Sequence, residues 1–492
     1  MKKFTTIIVL CILFCSAVWL RWHLLPSHLF FGPEQGRDML VIRDIVVNHK
    51  LTLIGSKTDI SGIFHGPIFY YLSAIPFAVT KGNPLAVSFF MILIQSIGVL
   101  FMYLLGRDIT KSKRVGLIAA VFYTISFLGV VYGRWLSNPP LSIPLSLIGV
   151  WSMLRFLQGE KRYIFLTAIS FACLGQAEFI NFLLFAGIVC VVVIRFWKRI
   201  RVTPVSFIGL GLMVGLAVSL GNYVLFDIRH EFLISKSVLG LMSGASGYGT
   251  TLFDSMKSAS LMFASQFAMT FGIVSWKIGA SCMAITLCVL LIERKRHEYV
   301  DLVIMWLLVP LLILMGLRHS VLEQLYVGLV PGMILAAAIV VEFFIKKVRI
   351  AGIGLGMCVI VMNVYAYTQY LPTNSHVFFQ SPQPNVRYQD QLKVVDGIYR
   401  LANGKDFFFQ SYTIPYFWQD AWTYLFWYQG TRRYGYVPKE EETSVVYVIM
   451  QKEQSDPAYQ ANWYEKTVTT WGKRTEGFTI GEYTVEIRQR ER

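Results

Sequence analysis

At 492 residues the chain is long enough for several water-soluble domains. A content of 55% hydrophobic and only 15% charged residues, with a mean hydropathy of +0.53, excludes an ordinary soluble protein. The formal charge of +16 suggests nucleic acid until it is located: residues 371–492 carry 14 basic and 14 acidic residues, leaving 31 basic against 15 acidic in residues 1–370. An excess confined to the apolar part reads as membrane topology, with no nucleic-acid partner.

In chain order, Met1 to Leu20 is an apolar run behind two lysines, and it lacks a small-x-small cleavage site, so it is expected to be a retained first span. A polar stretch, 23–84, follows. Further apolar runs centre on 85–105, 115–132, 139–157, 163–177, 179–197, 204–224, 273–292, 299–316, 325–345 and 350–370. With residues 4–22 they predict about eleven transmembrane helices, each near the ~20 residues that cross hydrocarbon. The stretch 163–197 is divided at Gly175-Gln176-Ala177-Glu178, because basic clusters flank it at both ends and an even number of crossings is required.

Lysines and arginines recur at every second connection: Lys2 and Lys3; Arg107 to Arg114; Arg155 to Arg162; Arg195 to Arg201; Arg294 to Arg296; Lys346 to Arg349. The short loops between them hold only Arg134 and Arg318. The positive-inside rule then predicts a cytoplasmic N-terminus, and parity puts residues 371–492 outside.

The tail is expected to be a small α/β domain. Leu392, Val395, Ile398 and Tyr399 have helical spacing with Asn403-Gly404 as a stop, and Pro415 opens a second helical run that closes at Gly430. Ser444 to Met450 reads as a strand, and Tyr483, Val485 and Ile487 alternate like another after a turn at Gly481. All seven cysteines lie in apolar stretches, so neither a disulfide framework nor a CxxC metal site is expected. The fold class is therefore a polytopic all-α membrane protein, residues 1–370, with a small C-terminal extracytoplasmic α/β domain, residues 371–492.

Chemistry is sought in the polar outer segments 23–84 and 225–272 and in the tail. The first carries Glu34-Gln35-Gly36-Arg37-Asp38 and His65-Gly66-Pro67-Ile68-Phe69-Tyr70-Tyr71. A solvated loop with an interfacial aromatic belt would give such a composition by itself. Other ionisable or polar groups gather at the same rim, however: Arg134 and Asn138, Glu178, Asp227 to Glu231, and Arg318-His319. Charges so near span ends are costly unless paired or used, and a shared cavity would use them.

In these residues the chain resembles the polyprenyl-phosphate-sugar-dependent glycosyltransferases of the GT-C fold, in the protein O-mannosyltransferase and aminoarabinose transferase group. That group has Asp-Glu-x-Arg in its first external loop with Arg-Glu six residues after the Arg; here Glu34-Gln35-Gly36-Arg37 is followed by Arg43-Asp44. Its later Lys-Pro-Pro-Leu-Tyr-Tyr-Trp pattern is similar to His65 to Tyr71. Glu34 stands for the family's catalytic Asp, His65 for its Lys and Asn138 for a frequent Asp. A bacterial subgroup shares the Arg-x-x-Ser-Asn-Pro turn, here Arg134 to Pro139, and a Phe-Asp-x-Arg-His segment, here Phe226 to His230.

The resemblance implies an inverting transferase that moves a sugar from a polyprenyl-phosphate donor to an acceptor hydroxyl of a protein, lipid or glycan. It implies Glu34 as catalytic base; Asp38 beside it is a candidate to assist, to orient Arg37 or to help hold a divalent cation. Arg37, His65, Arg134, Arg229, His230 and Arg318 are candidates for the donor phosphate, since a departing phosphate needs cations more than a strong acid. Tyr70, Tyr71, Asn138, Glu178 and Asp227 are candidates for the substrate pocket. No ligand spacing announces a metal, and a divalent cation held by Asp38 is the alternative to a metal-free reaction. A polytopic transporter or lipid flippase is the rival reading, although no repeated halves and no mid-span charge are seen. A scaffold that displays the aromatic tail is a third.

Overall fold

The computed structural model describes residues 3–242, 251–317, 322–371, 387–414 and 417–489. Its helices are, in order, α1 (Lys3–Trp22), α2 (Leu25–His28), α3 (Pro33–Val46), α4 (Ile68–Thr80), α5 (Pro84–Ser96), α6 (Gly98–Thr110), α7 (Lys113–Ile125) and α8 (Phe127–Arg134). Then come α9 (Ser142–Leu157), α10 (Tyr163–Ala177), α11 (Asn181–Arg195), α12 (Trp197–Ile200), α13 (Val205–Arg229), α14 (Leu233–Met242), α15 (Leu252–Met269), α16 (Trp276–Glu293), α17 (Val300–Gly316), α18 (Val330–Lys347) and α19 (Arg349–Tyr370). The tail adds α20 (Tyr388–Ala402), α21 (Asp420–Gln429) and α22 (Pro457–Lys466).

Among the described residues seven helical segments are long and apolar enough to cross a membrane, and α7 with α8 forms an eighth that is bent by 50°. The expected eleven is reached only if the shorter apolar helices α10, α11 and α17 also cross. The bend follows from Ser126, whose hydroxyl accepts the Gly129 N–H and so starts a new helix there. A break inside an apolar bundle frees backbone groups that lipid cannot satisfy. Asn363 accepts the Phe127 N–H at 2.6 Å, and the fully buried Arg21 reaches the Tyr123 and Thr124 carbonyls at 3.5 Å.

The basic connections lie together and bind acids. Arg195 and Arg294 both pair with Asp301, Arg114 and Lys346 with Glu342, and Arg107 and Arg155 with Asp108. The segments 23–84 and 225–272, expected as polar loops, contain the helices α2 to α4, α14 and α15. Helix α15 lies against the bundle, accepting at the Ala259 carbonyl from the Tyr326 hydroxyl at 2.8 Å.

The tail's sheet has the order β1-β2-β4-β3, with β1 (Phe408–Tyr412) parallel to β2 (Val445–Gln451), and β4 (Tyr483–Gln489) antiparallel to both β2 and β3 (Lys473–Ile480). Strand alternation sends Tyr447 and Ile449 to one face and Val446 and Val448 to the other. On the first face α20 and α21 pack with α3 and α4, so that Met39, Ile42, Phe69 and Phe77 share one apolar core with Val394, Ile398, Trp422 and Leu425. Trp463 and Trp471 cover the second face.

Candidate active site

Helix α3 begins at Pro33, whose missing N–H suits a first helical position, and Gln35 turns back to accept the Gly32 N–H at 3.0 Å. Residues 34 and 38 are one turn apart, so both carboxylates project from one face of α3. Glu34 is exposed, whereas Asp38 is 2% exposed. One Asp38 oxygen receives Arg37, at 2.9 to 3.0 Å, and the Tyr70 hydroxyl, at 3.0 Å. Burial pushes the Asp38 carboxyl up to about 6; Arg37 and the two hydrogen bonds oppose the rise, and Glu34 adds to it. The Tyr70 phenol is also raised by burial and by Asp38, so it stays a donor.

His65 comes from the loop before α4. Its backbone is fixed by the bonds His65 N–H to the Ser56 carbonyl (2.9 Å) and Gly55 N–H to the His65 carbonyl (2.8 Å). The Gly66 N–H donates to the Gln176 carbonyl at the end of α10, and a Cβ on Gly66 would stand 2.5 Å from the Gln176 Cβ. That approach brings His65 Nδ1 to 3.8 Å from Glu178 Oε1. Burial lowers the imidazole to about 4, with Arg37's charge adding, and burial raises Glu178 to about 8, with Asp59 adding. Both side chains are therefore neutral near pH 7, and His65 offers a hydrogen bond where a lysine would offer charge.

Asn138, at the turn before α9, donates to Ser56 Oγ at 2.9 Å and so joins the same loop. Asp38 Oδ2, His65 Nδ1 and Asn138 Oδ1 are buried without a hydrogen-bond partner among the described residues. Native proteins rarely leave such atoms unpaired, and binding sites are where they do.

The other sequence candidates are placed differently. Tyr71 is turned outward and donates to the Thr52 carbonyl at 2.6 Å. Arg134 uses Nη1 on the carbonyls of Arg21, at 3.1 Å, and His23, closing the end of α1. Asp227 accepts from Ile234 N–H, Ser235 N–H and the Ser235 hydroxyl, starting α14. His230 stacks on Phe226 with ring centroids 3.9 Å apart, and Arg229 is exposed. Phe226 in turn meets Phe64 at 5.5 Å, so these residues wall the loop that carries His65. Arg318 lies outside the described residues. Among the described residues, no group of three or more His, Cys, Asp or Glu side chains is arranged to hold a metal ion.

Reading by type missed Gln35, which donates to the Leu136 carbonyl at 3.3 Å and ties α3 to the Arg134–Pro139 turn. It also missed Arg21; an arginine at the end of an apolar run looks like a flank until the broken helix beside it is known.

A bent multi-span bundle with α3 and α4 under a docked sheet domain agrees with the GT-C fold that the sequence resemblance implies, and a solved structure of that fold matches it. The chain has the fold of the ArnT of Cupriavidus metallidurans, a structure bound to undecaprenyl phosphate: the TM-score is 0.59 over 97% of both chains, at 10% identity. The archaeal oligosaccharyltransferase AglB of Archaeoglobus fulgidus, in complex with an inhibitory peptide and a dolichol-phosphate, aligns over 97% of this chain and 73% of its own, with a TM-score of 0.51 and 12% identity. In sequence, residues 64–223, about a third of the chain, match the family described as dolichyl-phosphate-mannose-protein mannosyltransferase. That match takes in His65, Arg134, Asn138 and Glu178 and stops short of Phe226. No curated protein matches the chain in sequence.

Proposed function

We propose that the chain is an inverting membrane glycosyltransferase that moves a sugar, hexose or pentose, from a polyprenyl-phosphate donor to an acceptor hydroxyl on a protein, lipid or glycan. The observation that carries this reading is Asp38, buried and holding Arg37 on one oxygen while its second oxygen, His65 Nδ1 and Asn138 Oδ1 have no hydrogen-bond partner among the described residues. The fold and the matched segment support the lipid-phosphate donor, because the ArnT and AglB structures contain undecaprenyl phosphate and a dolichol-phosphate. The clustering of basic connections supports a cytoplasmic N-terminus, with reaction at the outer rim.

Glu34, open to solvent, takes the proton of the acceptor hydroxyl as its oxygen attacks C1 of the sugar. The bond from C1 to the phosphate oxygen breaks on the opposite face, inverting that carbon. Arg37 neutralises the departing phosphate through charge-assisted hydrogen bonds, and Asp38 with Tyr70 aims its guanidinium. His65 supplies a neutral hydrogen bond to a donor hydroxyl or phosphate oxygen, and Asn138 Oδ1 accepts one from a donor hydroxyl. Residues 1–370 form the transferring part and 371–492 an outer domain.

The test is sugar transfer in reconstituted vesicles. Glu34→Gln is expected to lower the rate by about 100-fold or more, the usual weight of a general base. Asp38→Asn should lower it as well, and the wild-type rate should fall below about pH 6 as Asp38 takes a proton and releases Arg37. Wild-type rates in both variants would remove these carboxylates from the mechanism.

A further inference from the structure

We infer that the tail is a positioning element of the transferase: α21, seated on Gly36, sets the direction in which Glu34 and Asp38 point. This rests on the proposed function above and adds a role for Gly36 and its partner helix.

Gly36 sits in regular helix, so its conformation does not require glycine. Its surroundings do. A Cβ at this position would lie 2.3 Å from the Ala421 N, 2.4 Å from the Ala421 Cα and 2.4 Å from the Asp420 carbonyl carbon, all backbone atoms. No side-chain rotation relieves such an overlap, so α3 and α21 touch only because residue 36 has no side chain.

At about 100° per residue, positions 34 and 38 are each roughly 160–200° around α3 from position 36. The tail therefore presses on the back of the helix whose front carries the two carboxylates. It grips the surrounding elements too. Upstream of α3, the Tyr388 N–H donates to the Leu29 carbonyl at 3.2 Å and Gln391 Nε2 to the Phe31 carbonyl at 3.0 Å. Beyond α4, which brings Tyr70 to Asp38, the Tyr424 hydroxyl donates to the Gly82 carbonyl at 2.5 Å. The Arg43 guanidinium, at the far end of α3, lies 5.7 Å from the Trp427 ring. Both helices that hold Asp38 are thus fixed to one domain at several points.

The experiment compares Gly36→Ala with wild-type and Glu34→Gln protein in the vesicle assay, well below the melting temperature. An added Cβ needs about 1 Å of separation, and a misplacement of that size costs on the order of 100-fold in turnover. The expected result is a 10- to 100-fold fall in kcat with the KM for the lipid-phosphate sugar within about threefold of wild type. Should Gly36→Ala fail to fold, Tyr424→Phe and Gln391→Leu loosen the same seat from two sides. They are expected to lower kcat severalfold, again at constant KM.

Wild-type kcat in every folded variant, with only a lowered melting temperature, would overturn the inference and leave the proposed function standing, provided that Glu34→Gln is inactive. A wild-type protein without turnover would overturn both.

Discussion

At the scale of single residues, the site is governed by burial more than by formal charge. Asp38 and Glu178 would ordinarily be ionised at neutral pH, and His65 would carry charge only below about 6.5. Burial keeps Glu178 protonated, holds His65 neutral even in mild acid, and leaves Asp38 poised near pH 6. Arg37 remains a cation, paired with Asp38 at 2.9 Å. Glu178 permits a check by stability. Its carboxyl titrates at about 8 in the folded chain, against an ordinary 4.5. Between these values the folded state binds the proton that the unfolded state has lost, so stability falls as pH rises, by up to roughly 1.4 kcal/mol per unit. Glu178→Gln keeps the neutral shape and removes that dependence. It is expected to retain transfer at pH 7 and to gain melting temperature over wild type increasingly from pH 5 to 8. An unchanged gap across that range would mean that Glu178 is ionised in the fold.

At the scale of elements, arginines near helix ends serve the backbone before they serve a substrate. Arg21 meets the last carbonyls of α7, and Arg134, at the end of α8, meets those of α1. Arg134→Gln is therefore expected to cost on the order of 2 kcal/mol of stability, the weight of a charged hydrogen bond, with the donor KM unchanged. A tenfold rise in KM at unaltered melting temperature would return Arg134 to the phosphate site. Sequence alone revealed much at this scale where periodicity or stop signals are local. The run from Leu392 to Tyr399 became α20, ended by Asn403 at φ 47°, and Ser444 to Met450 and Tyr483 to Ile487 became β2 and β4. Strand β3 escaped because its exposed residues alternate weakly. Helix α3 escaped because its turns are mixed with the charged motif that drew notice as chemistry. The second tail helix, expected to open at Pro415, begins at Asp420 in the structure, while Pro415 itself lies outside the described residues.

At the scale of the whole molecule, hydropathy made the bundle legible and charge made its two ends distinguishable. Neither signal could disclose that loop 52–67 is clamped by Asn138 in the turn before α9 and by residues of α10 and α13, or that the tail shares its core with α3 and α4. Those contacts join residues tens to hundreds of positions apart, and no local pattern encodes them. They also tie Asn138 and Gln176 to the loop that carries His65, as the Tyr70 hydroxyl ties α4 to Asp38. The central claim is sugar transfer from a lipid phosphate. Its most direct measurement is to incubate purified wild-type protein in vesicles with a panel of polyprenyl-phosphate sugars and follow both free lipid phosphate and the anomeric form of the product. Lipid phosphate and glycosylated acceptor are expected in equal amounts, with C1 inverted. Movement of the labelled lipid between leaflets without any release of lipid phosphate would contradict it.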